Sequence, residues 1–170
     1  MTFEKVDVKE IKGNPFRMIG DDWMLITAEK DGRVNTMTAS WGGVGILWGK
    51  TVATAYIRPQ RYTKEFVDAG ETFTLSFFGQ EQKKALGYLG KVSGKEVPDK
   101  IAQSGLHDTT VGGAPAFAEA ELVLVCRKLY AQEMKPECFV AGEEIGRWYP
   151  EKDFHTMYIA EITEAYRREK

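Results

Sequence analysis

The 170-residue sequence predicts an α+β domain, mainly β. Six runs rich in β-branched and aromatic residues alternate apolar with polar positions, the period-two signature of half-buried strands. Asp31-Gly32 sits between the first two runs and supplies the two residues of positive φ that a tight type I′ hairpin needs. The runs lie at irregular spacing and are joined by short helical excursions, which favours an antiparallel sheet or small barrel with helices packed outside over βαβ units.

Asn14-Pro15 offers an N-cap and a first-turn proline, so a short helix is expected over 14–20, stopping at Gly20. Strands follow at 23–30 and 34–41, then a Gly-rich bend through Gly42, Gly43, Gly45 and Gly49, then a strand at 51–57. Residues 59–69 carry Tyr62, Phe66 and Val67 at helical spacing and end at Gly70, which predicts a helix of about three turns. A strand at 72–78 precedes two short helices, 80–89 and 98–104, the second opened by Pro98. The stretch 105–115 reads as loop, and strands at 121–130 and 156–162 complete the six. No repeat or linker divides the chain, and its length suits one domain over 1–170.

With 43% hydrophobic and 12% aromatic residues, the composition excludes disorder and fibres. The net charge of −2 arises from interspersed charges, which leaves no broad positive field for a nucleic-acid backbone. Met1 to Glu10 mixes charged and apolar residues, so no export segment is expected. No apolar run approaches the roughly 18 residues of a membrane span, which argues against a membrane partner and for a cytoplasmic protein. Cys126 and Cys138 are too far apart for a CxxC motif and are expected as reduced thiols, Cys126 as a buried small hydrophobe. With only His107 and His155 besides, no metal site is expected.

Gly49-Lys50-Thr51 imitates the end of a P-loop, but Val44 stands where the first glycine belongs and a strand follows where a helix is required. The segment Asn35, Thr36, Met37, Thr38, Ala39, Ser40, Trp41 is more informative. Thr36, Thr38 and Ser40 share one face, and Met37, Ala39 and Trp41 the other. Such a strand can lay hydroxyl and main-chain hydrogen bonds along the polar edge of a flat heteroaromatic ring, with small Ala39 admitting the ring; a solvated Thr/Ser face is the plainer alternative. Arg58, Arg61, Tyr62 and Thr63 fall at a strand end and the first turn of the next helix, where two guanidiniums and two hydroxyls suit a phosphate dianion. The alternative there is pairing of the arginines with Glu65 or Asp68.

At these segments the chain resembles the flavin reductase-like family with an FMN-binding split barrel. The resemblance runs through NTMTASWGG at 35–43, IRPQRYT at 57–63, FTLSFF at 73–78, LVLVCRKLYAQ at 122–132 and DFHTMYIAEI at 153–162. It implies a split β-barrel and a homodimer. It also implies FMN held along its ring by the strand around Thr36 to Trp41, and at its phosphate by Arg58, Arg61, Tyr62 and Thr63. Members commonly carry Gly-Asp-His before the terminal strand. Here the match is Asp153-Phe154-His155, without the glycine, and it leaves His155 as the candidate catalytic residue on the nicotinamide side.

The expected function is therefore an FMN-binding oxidoreductase passing hydride or electrons from NAD(P)H, or another donor, to flavin or another acceptor. The alternative is a non-enzymatic, flavoredoxin-like FMN carrier serving a protein partner. A flavin-free β-barrel interaction module is the third reading. Because a flavin carries its own redox chemistry, the protein needs to supply only position and electrostatics, which suits a sequence without a paired-carboxylate or Ser/His/Asp signature.

Overall fold

Successive side chains of a strand point to opposite faces, and the computed structural model, which describes residues 2–169, follows that alternation along one large antiparallel sheet. Its strands are β1 (Phe3–Val6), β2 (Met24–Lys30), β3 (Arg33–Ala39), β4 (Gly42–Leu47), β5 (Lys50–Ile57) and β6 (Thr72–Phe77). After a separate hairpin of β7 (Asp108–Val111) and β8 (Ala114–Phe117) come β9 (Leu122–Glu133) and β10 (Thr156–Arg168). The spatial order is β3-β2-β6-β9-β10-β5-β4, with β1 also paired to β10. The two ends of that order, β3 and β4, are joined by Ser40 and Trp41 alone, so the sheet must curl until its edges come together. No ladder joins them, and the barrel is split there.

Alternate residues fill the interior: Met24, Ile26 and Ala28 from β2, Phe73, Leu75 and Phe77 from β6, Leu122, Leu124 and Cys126 from β9, and Tyr158, Ala160 and Ile162 from β10. Phe66 and Val67 of helix α1 (Thr63–Ala69) join this core. Phe73 and Tyr158 are sealed from solvent, and truncating a buried aromatic of this kind costs about 3–5 kcal/mol. The outward faces of β2 and β9 meet a second core. There Leu25 and Val123 pack with Leu86 and Leu89 of α2 (Lys83–Lys91), and with Val111 and Phe117 of the small hairpin. Two further short helices, α3 (Lys100–Ser104) and α4 (Glu143–Trp148), lie outside the sheet. No helix among the described residues is long and apolar enough to cross a membrane.

The six expected strands are present, and Asp31 (φ 52°) and Gly32 (φ 72°) make the positive-φ turn between β2 and β3. Several local expectations are corrected. The Gly-rich bend is strand β4, paired in register with β5 from Gly42↔Ala55 to Leu47↔Lys50. The loop at 105–115 holds the β7–β8 hairpin, turned by Gly112 and Gly113, both at positive φ. The short helix expected over 14–20 is present, with Pro15 and Phe16 helical and a π-helical turn following at Arg17–Asp21, so only its type and its end one residue past Gly20 differ; the Asn14 side chain accepts from Phe16 N at 3.0 Å. Helix α1 starts only at Thr63, because Pro59 and Gln60 form a turn after β5.

Candidate functional site

Strand β3 and the Ser40-Trp41 link after it lie between two sites of opposite character, and Asn35 and Trp41 stand about 20 Å of extended chain apart at the rise of a strand. At its Asn35 end lies a cavity of about 160 Å3, lined among others by Met37, Arg61, Thr63, Ser93, Gly94 and Lys100. Lys100 is the one fully buried residue of α3. Its Nζ donates to the carbonyls of Thr36 at 2.7 Å, Val92 at 2.9 Å and Leu89 at 3.4 Å, tying the end of α2 to β3. Burial pushes its amine down to about 8, and the nearby charge of Arg61 adds to the fall. Arg61, itself lowered by burial, donates Nη1 to Gly90 O at 2.8 Å and keeps the rest of its five donors. Thr63 Oγ1 accepts from Asn35 Nδ2 at 2.9 Å and retains its own proton to give. No carboxylate lines this cavity: Arg61 and Lys100 hydrogen-bond only to carbonyl oxygens, and a third cation, the exposed Lys91, stands at its wall. That donor set fits a phosphate group, because desolvated positive charge without a counter-ion is costly until an anion arrives.

Gly94 permits this packing: a Cβ there would run into Asn35 Oδ1.

At the other end, Ser40 and Trp41 border an open cleft of about 490 Å3 whose walls include Phe16, Ile19, Val44, Tyr56, Met134 and Tyr149. No charged side chain lines it. The Trp41 ring lies edge-on to Trp148 at 5.0 Å and tilted against His155 at 5.1 Å. His155 is buried, with Nδ1 at 2.8 Å from Tyr149 Oη. Desolvation drives its imidazole down to about 4; the Arg58 charge pushes the same way and Asp153 opposes both.

Arg58 and Arg61 part company across the Pro59-Gln60 turn. Arg58 Nη1 pairs with Asp153 Oδ2 at 2.5 Å and Nη2 donates to Trp148 O at 2.9 Å, which holds the α4 segment against the barrel. Gln60 Nε2 donates to the same carboxylate at 2.7 Å. These two hydrogen bonds hold the Asp153 carboxyl below its ordinary range. The structure thus sets the two guanidiniums apart: Arg61 lines the cavity, and Arg58 pairs with Asp153. Neither pairs with Glu65 or Asp68; Asp68 is taken by Lys64 and Tyr158.

On the polar face of β3 the threonine hydroxyls have partners within the fold. Thr36 Oγ1 bonds Thr27 Oγ1 at 2.8 Å and Ile26 O at 3.1 Å, and Thr38 Oγ1 donates to Leu86 O at 2.5 Å beneath α2. Thr36 is thus engaged by β2 and Thr38 by α2. Met37 and Ala39 turn into the barrel core, Asn35 and Met37 border the small cavity, and Ser40 and Trp41 border the large cleft. Tyr62 also borders the cavity and sets its ring edge-on to Phe66 at 5.1 Å. Cys126 is buried with its thiol pushed up, and Cys138 is exposed. No metal-binding group of three or more His, Cys, Asp or Glu occurs among the described residues.

Lys100 and Tyr149 escape sequence reasoning. The close pair Gly90 and Gly94 before Lys100 is the one local sign that backbone passes tightly there; nothing around Tyr149 marks it.

Comparison with known proteins accounts for this architecture. A curated but uncharacterized protein of Aeropyrum pernix is 34% identical over 99 residues, 57% of this chain. The chain spans only 37% of that relative's length in the match. Among solved structures, an FMN-binding domain of a flavin reductases-like enzyme from Shewanella baltica superposes with a TM-score of 0.71 at 18% identity, covering 98% of this chain and 77% of the other. Flavoredoxin from Methanosarcina acetivorans gives 0.69 at 21% identity, covering 87% and 69%. The flavin reductase of styrene monooxygenase from Pseudomonas putida gives 0.64 at 19% identity, covering 87% and 80%. At these identities the likeness is one of fold. Residues 16–170, however, match the flavin reductase like domain as a sequence family, and the chain belongs to that family.

Proposed function

We propose that the chain binds FMN along β3 as one domain and works as a flavin-dependent oxidoreductase. The observation that carries this reading is the carboxylate-free pair Arg61 and Lys100, which suits the flavin phosphate, one strand-length from the aromatic cleft at Trp41. Arg61, Thr63 and the amide of Asn35 serve the phosphate. Trp41 and Ser40 lie where the isoalloxazine ring would reach, and His155, neutral at working pH, stands on the side of the second substrate. The bound flavin supplies the acceptance and release of hydride or electrons; the chain's residues orient it and keep water from its apolar wall.

NAD(P)H is the candidate donor. A second reading, an FMN carrier exchanging electrons with a protein partner, draws support from the cleft lining, which offers no cation to a dinucleotide diphosphate. An absorbance spectrum of the purified protein followed by anaerobic additions of NADH and NADPH separates them. Bleaching of a yellow protein supports the reductase, an unbleached yellow protein supports the carrier, and a protein that takes up no flavin refutes both.

A homodimer is part of the proposal. Phe16, Val44, Ile46 and Trp48 expose apolar surface along the edge strand β4 and beside the cleft, and a second copy would cover them. The two free thiols fit a reducing, cytoplasmic compartment.

A further inference from the structure

Tyr149 holds one hydroxyl proton and has two acceptors for it: His155 Nδ1 at 2.8 Å and Met134 Sδ at 3.7 Å. An imidazole lone pair is a strong acceptor and a thioether a weak one. Were Nδ1 to carry the ring proton, it would donate to Tyr149 Oη and leave the phenol only the distant sulfur. The geometry therefore assigns the proton to the Tyr149-to-Nδ1 bond, and a neutral imidazole then has its own proton on Nε2.

Tyr149 has little freedom to abandon that bond. Its ring stacks on Phe154 at 4.7 Å and meets Phe139 edge-on at 5.9 Å, and the Arg58 guanidinium lies 5.2 Å from its centre. Arg58 is in turn held by Asp153 and by the Trp148 carbonyl. The Tyr149 backbone N–H closes α4 on Ile145 O at 2.8 Å. The titratable and charged groups around the pair are Arg58, Asp153 and Tyr56. Burial raises the Tyr149 phenol and lowers the His155 imidazole, so the pair stays neutral on both sides.

We propose that Tyr149 is the positioning residue for His155: it fixes the imidazole as the Nε2–H tautomer against Trp41, so that His155 offers a bound molecule a hydrogen-bond donor for a carbonyl oxygen and not a basic nitrogen. The tautomer rests on the geometry alone; what the donor serves rests on the proposed flavin site. A ligand with a ring carbonyl or a carboxamide oxygen satisfies this donor, whereas one presenting an N–H at the same place leaves two donors opposed.

The test is long-range 1H–15N correlation spectroscopy of the 15N-labelled, flavin-free protein, with His107→Gln assigning the two histidines. The expected spectrum has His155 Nε2 protonated and Nδ1 unprotonated, unchanged between about pH 5.5 and 8. Tyr149→Phe should lose that single pattern and give exchanging tautomers, and Met134→Leu should keep it. A protonated Nδ1 in the wild-type protein, or a Tyr149→Phe spectrum identical to wild type, overturns the assignment. Should Tyr149→Phe fail to fold, the wild-type and Met134→Leu spectra still decide. In flavin-loaded protein, Tyr149→Phe should raise the KM of the second substrate and leave FMN affinity within threefold; an unchanged KM overturns the positioning role. The expected tautomer in a chain that takes up no flavin would refute the flavin reading and leave the assignment standing.

Discussion

Arg61→Ala should abolish most of the preference for FMN over riboflavin, while Arg58→Ala should leave it intact. The two arginines stand three residues apart, but only Arg61 lines the carboxylate-free cavity; Arg58 is occupied by Asp153 at 2.5 Å. A hydrogen bond to a charged group contributes about 1.5–3 kcal/mol, which converts to a loss of about 10- to 150-fold in affinity. Riboflavin lacks the phosphate, so the ratio of the two dissociation constants isolates this contact from any effect on the ring. Flavin fluorescence quenching with both ligands, on wild type and both variants, gives the ratio directly. Arg58→Ala frees the Asp153 carboxylate and loosens the α4 segment, so both flavins should weaken together, with the ratio held within threefold. An Arg58→Ala ratio that collapses as far as that of Arg61→Ala, or an Arg61→Ala ratio equal to wild type, would refute the placement of the phosphate.

Lys100 should make the same preference pH-dependent. Its amine is charged below about 8, so the FMN-to-riboflavin preference should fall as pH rises through and above that value, and Lys100→Met should flatten the profile; titrations from about pH 7 to 9.5 check this. His155 gives a stability signature of the opposite side of neutrality. Its folded value of about 4 lies below the ordinary 6.5, so the unfolded chain takes up the proton first, and stability is lost as pH falls from about 6.5 to about 4. The loss is at most about 3 kcal/mol, and urea unfolding of His155→Phe should lack that part of the slope. Ile46→Glu, at an exposed position of β4, should convert a dimer to a monomer in light scattering while leaving the fold unchanged by circular dichroism; a wild-type monomer refutes the dimer outright.

What the sequence made legible was whatever repeats locally. Strands β2, β3, β6 and the inner halves of β9 and β10 alternate because one face of each fills the barrel, and that alternation is visible without a partner. Strand β4 is different: Gly42, Gly43 and Gly45 have no side chain to alternate, and only pairing with β5 makes the segment extended. The β7–β8 hairpin hid in an apparent loop because its Gly112-Gly113 turn leaves four residues on each side, too few for a pattern. The surroundings of the site residues are set by longer-range contacts. Arg58 reads as a phosphate ligand from its neighbours, and only Asp153, 95 residues on, shows its charge to be spent. Nothing in its own stretch of sequence marks Lys100 as buried; the carbonyls of Thr36, Leu89 and Val92 close around it only in the fold. Thr36 and Thr38 read as a ligand-facing row until β2 and α2 engage their hydroxyls.

The placement of the charged and aromatic groups bears on how the proposed site works. The sequence sets a ring-facing strand at 35–41 apart from a phosphate pocket at 58–63, and the fold places charge and aromatic rings at the two ends of β3. Positive charge without a carboxylate beside it is concentrated around Arg61 and Lys100, while no charged side chain lines the Trp41 cleft, nearby Arg58 is paired with Asp153, and His155 is held neutral. Separation of this kind assigns affinity to one end and reactivity to the other. Charge at the phosphate end strengthens binding equally whether a flavin is oxidised or reduced, so it lowers Kd without favouring either state. The neutral end, where no fixed charge perturbs the ring, leaves the choice of redox partner to shape, to stacking against Trp41 and to the single donor of His155. Substitutions at Arg61 and Lys100 should accordingly move flavin affinity and spare the reduction rate of the saturated protein, and substitutions at Trp41, Tyr149 and His155 should do the reverse. A variant of the first group that slows reduction at saturating FMN would show that the two ends are coupled, and would break this division of labour.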